Sequence, residues 1–347
     1  MPWPLSETLA LIEPFLPVQL ISPAVVAHIR QMTPHLPGEL FSYYLECRLD
    51  DSPQVDFLAS ALADPQWSAA ATIQLPAEES WRPIRCFLRQ WAEPATLLHQ
   101  QSPMVWLEFD RVNQAWPVVP LPGVCFCLDS DYVEKQPHEA QRNPLSRERY
   151  RALFTAALAI LYGQPISATV QRHLLACYDH LPASGRLIHL SAMLGRQPPA
   201  LKVYAAVARD DLLTYLSQIG WPGSDAELGA MLAEFYADLS LVFVDLTIEE
   251  CIAPRIGLAY SQVHLKNRGR ADARWTSLLD RCVATGCCTA EKRAALLTWP
   301  GSTRQPWPGR TWPVRLSRWL DLKLVYQPGQ PLQVKGYLGF MQTFSLF

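Results

Sequence analysis

The chain has 347 residues, a formal charge of −2 and 49% apolar residues, enough to bury the core of one large domain or two ordinary ones. A near-neutral balance without a long Lys/Arg run argues against a nucleic-acid partner, although "KNRGRADAR" (266–274) is a short basic loop candidate. No apolar run approaches the ~20 residues that span a bilayer, and "MPWPLSETLA" lacks the features of a signal peptide, so the cytoplasm is the expected compartment.

Nine cysteines are an odd count, and their spacing gives no secreted disulfide framework. Cys125 and Cys127 share one face of a strand and Cys287 and Cys288 are adjacent, but no second Cys or His pair completes a zinc site. Buried, reduced thiols are the expectation.

In chain order, residues 1–38 are apolar and proline-rich and are read as an N-terminal helical extension ahead of one domain over 39–347. Strand-like "FSYYLECRL" (41–49) pairs with a weaker candidate, "AAATIQL" (69–75). "MVWLEFDRV" (104–112) and "PGVCFCLD" (122–129) make a second pair. Helices then follow over 146–163 and 167–181, where Leu153, Ala157, Ile160 and Leu161 fall on one face of the first.

"RLIHLSAML" (186–194) and "LKVYAAVA" (201–208) form a third strand pair joined by the Gly/Pro connection "GRQPPA". Two helices follow over 209–220 and 224–239. The second opens with Ser224 and Glu227 in a capping-box pattern and carries an apolar stripe of Leu228, Met231, Leu232 and Phe235. Strands over 239–247 and 255–264, helices over 274–286 and 289–299, and strands over 318–327 and 331–344 complete the alternation. The unit is helix, strand, strand, helix, five times over. "IGWPGS" (219–224) and "LTWPGS" (297–302) echo one another, and "WPGSTRQPWPGRTWP" (299–313) reads as a long loop before the last hairpin.

Ten antiparallel strands with intervening helices can close into a barrel, which removes exposed sheet edges. The outer strand face then packs on apolar helices, while the inner face of so wide a barrel surrounds a cavity. Alternation places Lys202 and Tyr204 inward, opposite Leu201 and Val203, and Lys335 and Tyr337 inward, opposite Val334 and Leu338. It also turns Asp321, Lys323 and Arg255 inward, so that three of the chain's six lysines line one lumen. Tyr44, Glu46, Arg48, Trp106, Glu108, Asp110, His189, Ser191 and Asp245 are further inward candidates. Buried cations need carboxylates, water or an anionic ligand.

Cations with interleaved tyrosines suit a diphosphate, and tyrosine faces can shield the carbocation left when diphosphate departs. The αββα grammar across roughly residues 40–345, with K-x-Y in "LKVY" (201–204) and "VKGY" (334–337), resembles the aromatic prenyltransferases of the ABBA, or PT-barrel, family. That resemblance implies an α+β fold in which αββα repeats build a ten-stranded antiparallel barrel ringed by helices. It also implies transfer of an isoprenoid group, dimethylallyl being the expected one, from its diphosphate to an aromatic small molecule or peptide, as in secondary metabolism.

By the same resemblance Lys202, Tyr204, Lys335 and Tyr337 contact the diphosphate or shield the prenyl group. Alternation adds Arg255, Lys323 and Arg48 to the cations and Tyr44 and Trp106 to the rings. Glu108 is the first choice for the group that takes the acceptor's proton, with Glu46 the alternate and His189 a further candidate. No DDxxD motif is present, since "LDDSPQ" and "RDDLL" continue differently, and metal-independent transfer is the expectation with a role for Mg2+ left open. The competing readings are a non-catalytic barrel that holds a peptide or anionic small molecule, or another peptide-modifying enzyme on the same scaffold.

Overall fold

The computed structural model describes residues 4–37, 40–63, 75–112, 119–129, 145–197, 199–260, 273–306 and 313–344. The chain begins with α1 (Leu5–Ile12) and α2 (Pro23–Met32). The first hairpin is β1 (Ser42–Arg48) and β2 (Val55–Leu62), followed by α3 (Arg82–Ala92) and α4 (Leu97–Gln101). Then come β3 (Met104–Phe109), β4 (Gly123–Cys127), α5 (Arg147–Tyr162), α6 (Ala168–Asp179), β5 (Arg186–Met193) and β6 (Ala200–Ala208). The second half comprises α7 (Leu212–Gln218), α8 (Asp225–Phe235), β7 (Leu241–Ile248), β8 (Ile252–Tyr260), α9 (Ala273–Ala284), α10 (Ala290–Leu297), β9 (Gly301–Gln305), β10 (Val314–Tyr326) and β11 (Gln333–Phe344).

Each of β1 to β8 pairs antiparallel with its sequence neighbour, β8 pairs with β10, β10 with β11, and β11 returns to β1. The closing pair aligns Tyr43 with Phe340 and Arg48 with Lys335. The result is a closed ten-stranded barrel, with β9 as an outlying eleventh strand on the part of β10 that β8 does not reach: β9 covers Val314–Arg318, and β8 covers Leu322–Tyr326.

Two expectations change. The partner of β1 is Val55–Leu62, not "AAATIQL", whose residues 69–74 lie outside the described set. Val55–Leu62 carries an acid, a serine and two alanines among its apolar residues, which weakened its strand signal, but a short turn makes it the nearest partner that β1 can reach. The segment read as one long loop contains β9, five polar and small residues held as a strand by β10's backbone rather than by side-chain propensity. The basic loop over 266–272 lies outside the described residues.

Helix ends follow the local chemistry. Ser146, Ser167 and Thr289 each accept a backbone N–H three residues on, capping α5, α6 and α10, and Gly163 closes α5 at φ 69°. Ser224 caps α8 as its motif predicts, whereas the Glu227 carboxylate accepts the hydroxyl of Tyr326 at 2.6 Å and so fastens that helix to β10. The core lies between barrel and helices. Leu316, Leu320, Leu322 and Leu324 alternate with the inward residues of β10 and are buried, and Phe126 of β4 meets Phe87 of α3 at 5.6 Å. Each such leucine contributes about 1.5–3 kcal/mol of burial. That outer face fixes the register, and a slip of one residue would send the lysines into the helices.

Candidate active site

Register assembles the inner face in layers. Arg48 lies opposite Lys335 and Lys335 opposite Lys323; one layer deeper Glu46 meets Tyr337 and Tyr337 meets Asp321; next come Tyr44, Gly339 and Trp319. On the facing wall Tyr204 sits opposite Asp245, and Asp245 opposite Gly257. Charges therefore occupy one end of the lumen and rings the interior.

At the charged end the lysines carry their own counter-charges. Asp245 Oδ2 accepts from Lys202 Nζ at 2.9 Å and from Lys323 Nζ at 3.0 Å. Glu46 Oε1 accepts from Lys335 Nζ at 2.5 Å and from Arg48 at 2.6 Å, and Arg48 reaches Asp56 at 2.8 Å. Lys202, Lys323, Lys335, Glu46, Asp56 and Asp245 are all buried. Burial works against a charged Asp245, but Lys202 and Lys323 outweigh it and hold the carboxyl well below its ordinary range. Burial likewise opposes a charged Glu46, and Lys335, Arg48 and Lys323 override it. Gly257 makes this packing feasible, since a Cβ there would lie 2.9 Å from Lys323 Cδ and 3.3 Å from Asp245 Cβ.

Arg255 differs from the other cations. It has no hydrogen-bond or ion-pair partner among the described residues. It stands at a junction, bordering both a crevice of about 10 Å³ shared with Lys202, Asp245, Lys323 and Lys335 and a vestibule of about 300 Å³ lined also by Asp50, Cys287, Gln327, Gln330 and Gln333.

The rings lie just beneath. Lys323 Nζ is 5.0 Å from the Tyr204 ring centre and 5.4 Å from that of Tyr337, and Lys202 Nζ is 5.8 Å from Tyr204. Tyr44 contacts Trp106 at 5.5 Å, Trp319 at 5.4 Å and Tyr337 at 6.0 Å, the last two edge to face. Its hydroxyl accepts from Trp319 Nε1 at 2.8 Å and donates to Asp321 Oδ2 at 2.9 Å. A Cβ on Gly339 would strike Trp319 at 2.2 Å and Tyr44 at 2.6 Å, so glycine is what admits both rings. Tyr44, Leu58, Trp106, Glu108, Tyr204, Phe243 and Tyr337 keep some accessible surface, in contrast to the outward leucines.

Glu108 faces the same space from β3. Ser191 donates to it at 3.4 Å, and burial raises its carboxyl above the usual range, an effect that Lys202, Lys323 and Arg196 only partly offset. Glu46 is held in the opposite direction by its two cations. Burial pushes the His189 imidazole down to about 3, and the ring lies 6.0 Å from Tyr204.

Every residue expected at the site is thus placed on the inner face or at its mouth, and Lys202, Lys323, Lys335 and Arg255 share one crevice. Reasoning from sequence passed over Trp319, Asp56, Gly257 and Gly339. Alternation extended two residues back from Asp321 finds Trp319. Asp56 was out of reach because its strand was not recognised; it also accepts the backbone N–H of Arg111, a residue held at φ 56°. Among the described residues no group of three His, Cys, Asp or Glu side chains is arranged to hold a metal ion, and no helix is long and apolar enough to cross a membrane.

No family model matches this chain, and no curated protein matches it in sequence. Among solved structures it is similar to PriB in a binary complex with product diphosphate, with a TM-score of 0.52 and 14% identity over 96% of this chain and 95% of that one. Together with the strand order, that likeness defines the fold as the ABBA or PT barrel.

Proposed function

We propose that this chain is a prenyltransferase that moves an isoprenoid group, dimethylallyl by preference, from its diphosphate to an aromatic small molecule or peptide held in the lumen. The observation that carries the reading is the convergence of Lys202, Lys323, Lys335 and Arg255 on one crevice directly over the faces of Tyr204 and Tyr337. PriB, whose fold this chain shares, was solved with product diphosphate, which supports an anion of that kind here.

In this mechanism Arg255, which has no hydrogen-bond or ion-pair partner among the described residues, receives the diphosphate, and phosphate oxygens then compete with Asp245 and Glu46 for the lysines. Each carboxylate serves as the resting counter-charge of a site that would otherwise bury bare cations. The C1–O bond of the allylic diphosphate breaks, the cations take the departing charge, and the faces of Tyr204, Tyr337, Tyr44 and Trp106 stabilise the allyl cation. An aromatic carbon or heteroatom of the acceptor bonds to it, and the displaced proton passes to Glu108. The raised carboxyl of Glu108 suits it as base better than Glu46, whose electrons are committed to two cations. Mg2+ has no assigned role in these steps.

A second reading, a barrel that binds an anionic molecule or peptide without changing it, is favoured by one feature: each lumen lysine is already neutralised. Incubation with dimethylallyl diphosphate and a panel of aromatic acceptors separates the two. Transfer predicts an acceptor heavier by one isoprene unit together with released diphosphate, both lost in Lys202→Ala and Lys335→Ala. Those variants should fold, because Asp245 retains Lys323 and Glu46 retains Arg48. Ligand-induced thermal stabilisation without any covalent product, or unchanged turnover in both variants, would contradict it.

A further inference from the structure

The turn between β1 and β2 folds around a lysine from far along the chain. Lys292 Nζ donates to the backbone carbonyls of Asp50 at 2.5 Å, Ser52 at 2.7 Å and Arg48 at 2.9 Å. An ammonium has three donors, so this cage saturates it, and among the described residues it pairs with no carboxylate. Local bonds shape the cage: Asp50 Oδ1 accepts the backbone N–H of Ser52 at 3.0 Å and Ser52 Oγ that of Gln54 at 3.3 Å, bending the chain until three alternate carbonyls face one point. Lys292 is the third residue of α10, where the helix dipole disfavours a cation, and the three carbonyls offset that cost. The backbone N–H of Thr289 donates to the Leu49 carbonyl at 2.9 Å, a second tie between the same segments.

The caged turn is continuous with the lumen. Arg48, whose carbonyl Lys292 holds, binds Glu46 and Asp56 through its guanidinium, and Gln54 Nε2 reaches Asp56 at 3.0 Å. Asp50 lines the vestibule together with Arg255. We propose that Lys292 is a positioning residue for anion binding in this site: by closing the β1–β2 turn it fixes Arg48 against Glu46, so that Glu46 stays neutralised when an anion draws Lys335 away. The inference rests on the diphosphate reading of the lumen. Without the caged ammonium, Arg48 moves off with the turn, Glu46 retains Lys335, and diphosphate binds more weakly.

The test combines backbone hydrogen–deuterium exchange with calorimetric titration of inorganic diphosphate, on the full-length wild type, Lys292→Met and Lys292→Ala. In Lys292→Met, peptides covering residues 48–54 should exchange at least about tenfold faster, and diphosphate should bind at least about fivefold more weakly. In Lys292→Ala, propylammonium should restore both, whereas tetramethylammonium at the same concentration, which has no N–H to donate, should restore neither. Arg293→Ala removes the neighbouring cation, which pairs with Asp280 at 2.6 Å instead, and should change neither readout. Unchanged exchange in Lys292→Met, equal restoration by the two ions, or faster exchange with undiminished diphosphate affinity would overturn the proposal. Should the variants fold only with propylammonium present, that dependence is itself the rescue, and failure to fold with either ion would overturn it. A wild type that binds no diphosphate would instead sink the reading of the lumen, and exchange alone would then judge the cage.

Discussion

At one end of the lumen Lys202, Lys323 and Lys335 are covered, and each touches a carboxylate; deeper in the barrel Tyr44, Trp106, Trp319 and Tyr337 meet ring to ring and several keep accessible surface. The charged end is held by electrostatics and depends on protonation. The ring-lined interior is held by shape, with glycine at 339 creating the space and one hydroxyl, that of Tyr44, joining Trp319 to Asp321. A cation that must be stabilised after an anion leaves needs both environments in contact, and the approach of Lys323 to Tyr204 and Tyr337 is where they meet.

The contrast breaks most visibly at Asp245. Asp245→Ala leaves two buried lysines uncompensated and should cost about 3–5 kcal/mol, read by urea unfolding at neutral pH. Because the folded pKa of Asp245 is depressed, its stabilisation is complete above the unfolded carboxylate range, near 4, and is lost as pH falls through the lower folded value. The gap between wild type and variant should therefore close in strong acid. A pH-independent gap would mean that shape rather than charge governs this end.

Glu108→Gln comes next. Loss of a general base predicts a fall in kcat of roughly a hundredfold, with diphosphate affinity retained. Since the Glu108 carboxyl is raised, the wild-type activity should fall on the acid side at a pH above the ordinary carboxylate range, and the variant should lose that limb. In the ring-lined interior, Gly339→Ala forces a methyl against Trp319 and Tyr44 and should cost about 1–3 kcal/mol, equally at neutral and acid pH. Tyr44→Phe should cost less, about 0.5–1.5 kcal/mol, by removing the link between Trp319 and Asp321 while keeping the ring.

How legible this was in the sequence follows the same division. Period-two alternation fixes which side of a strand faces the lumen, so Lys202, Lys323, Lys335, Tyr204 and Tyr337 could be placed from spacing once the outward leucines and valines were seen. Pairing is another matter. That Lys202 and Lys323, 121 positions apart, share Asp245 depends on the stagger of a closed barrel, which spacing along one strand does not encode. β2 and β9 were hidden because their strand state comes from neighbours: one contains Asp56 and small residues, the other is "GSTRQ". Gly257 and Gly339 gain meaning only from the side chains that crowd them.

The most direct test of the central claim is calorimetric titration of the folded protein with inorganic diphosphate, beside Arg255→Ala, Lys202→Ala and Lys335→Ala. A diphosphate site predicts saturable binding by the wild type, weakened at least about tenfold in each variant through loss of a charge-assisted hydrogen bond. Absence of binding by the wild type, or equal affinity in all four proteins, would contradict it.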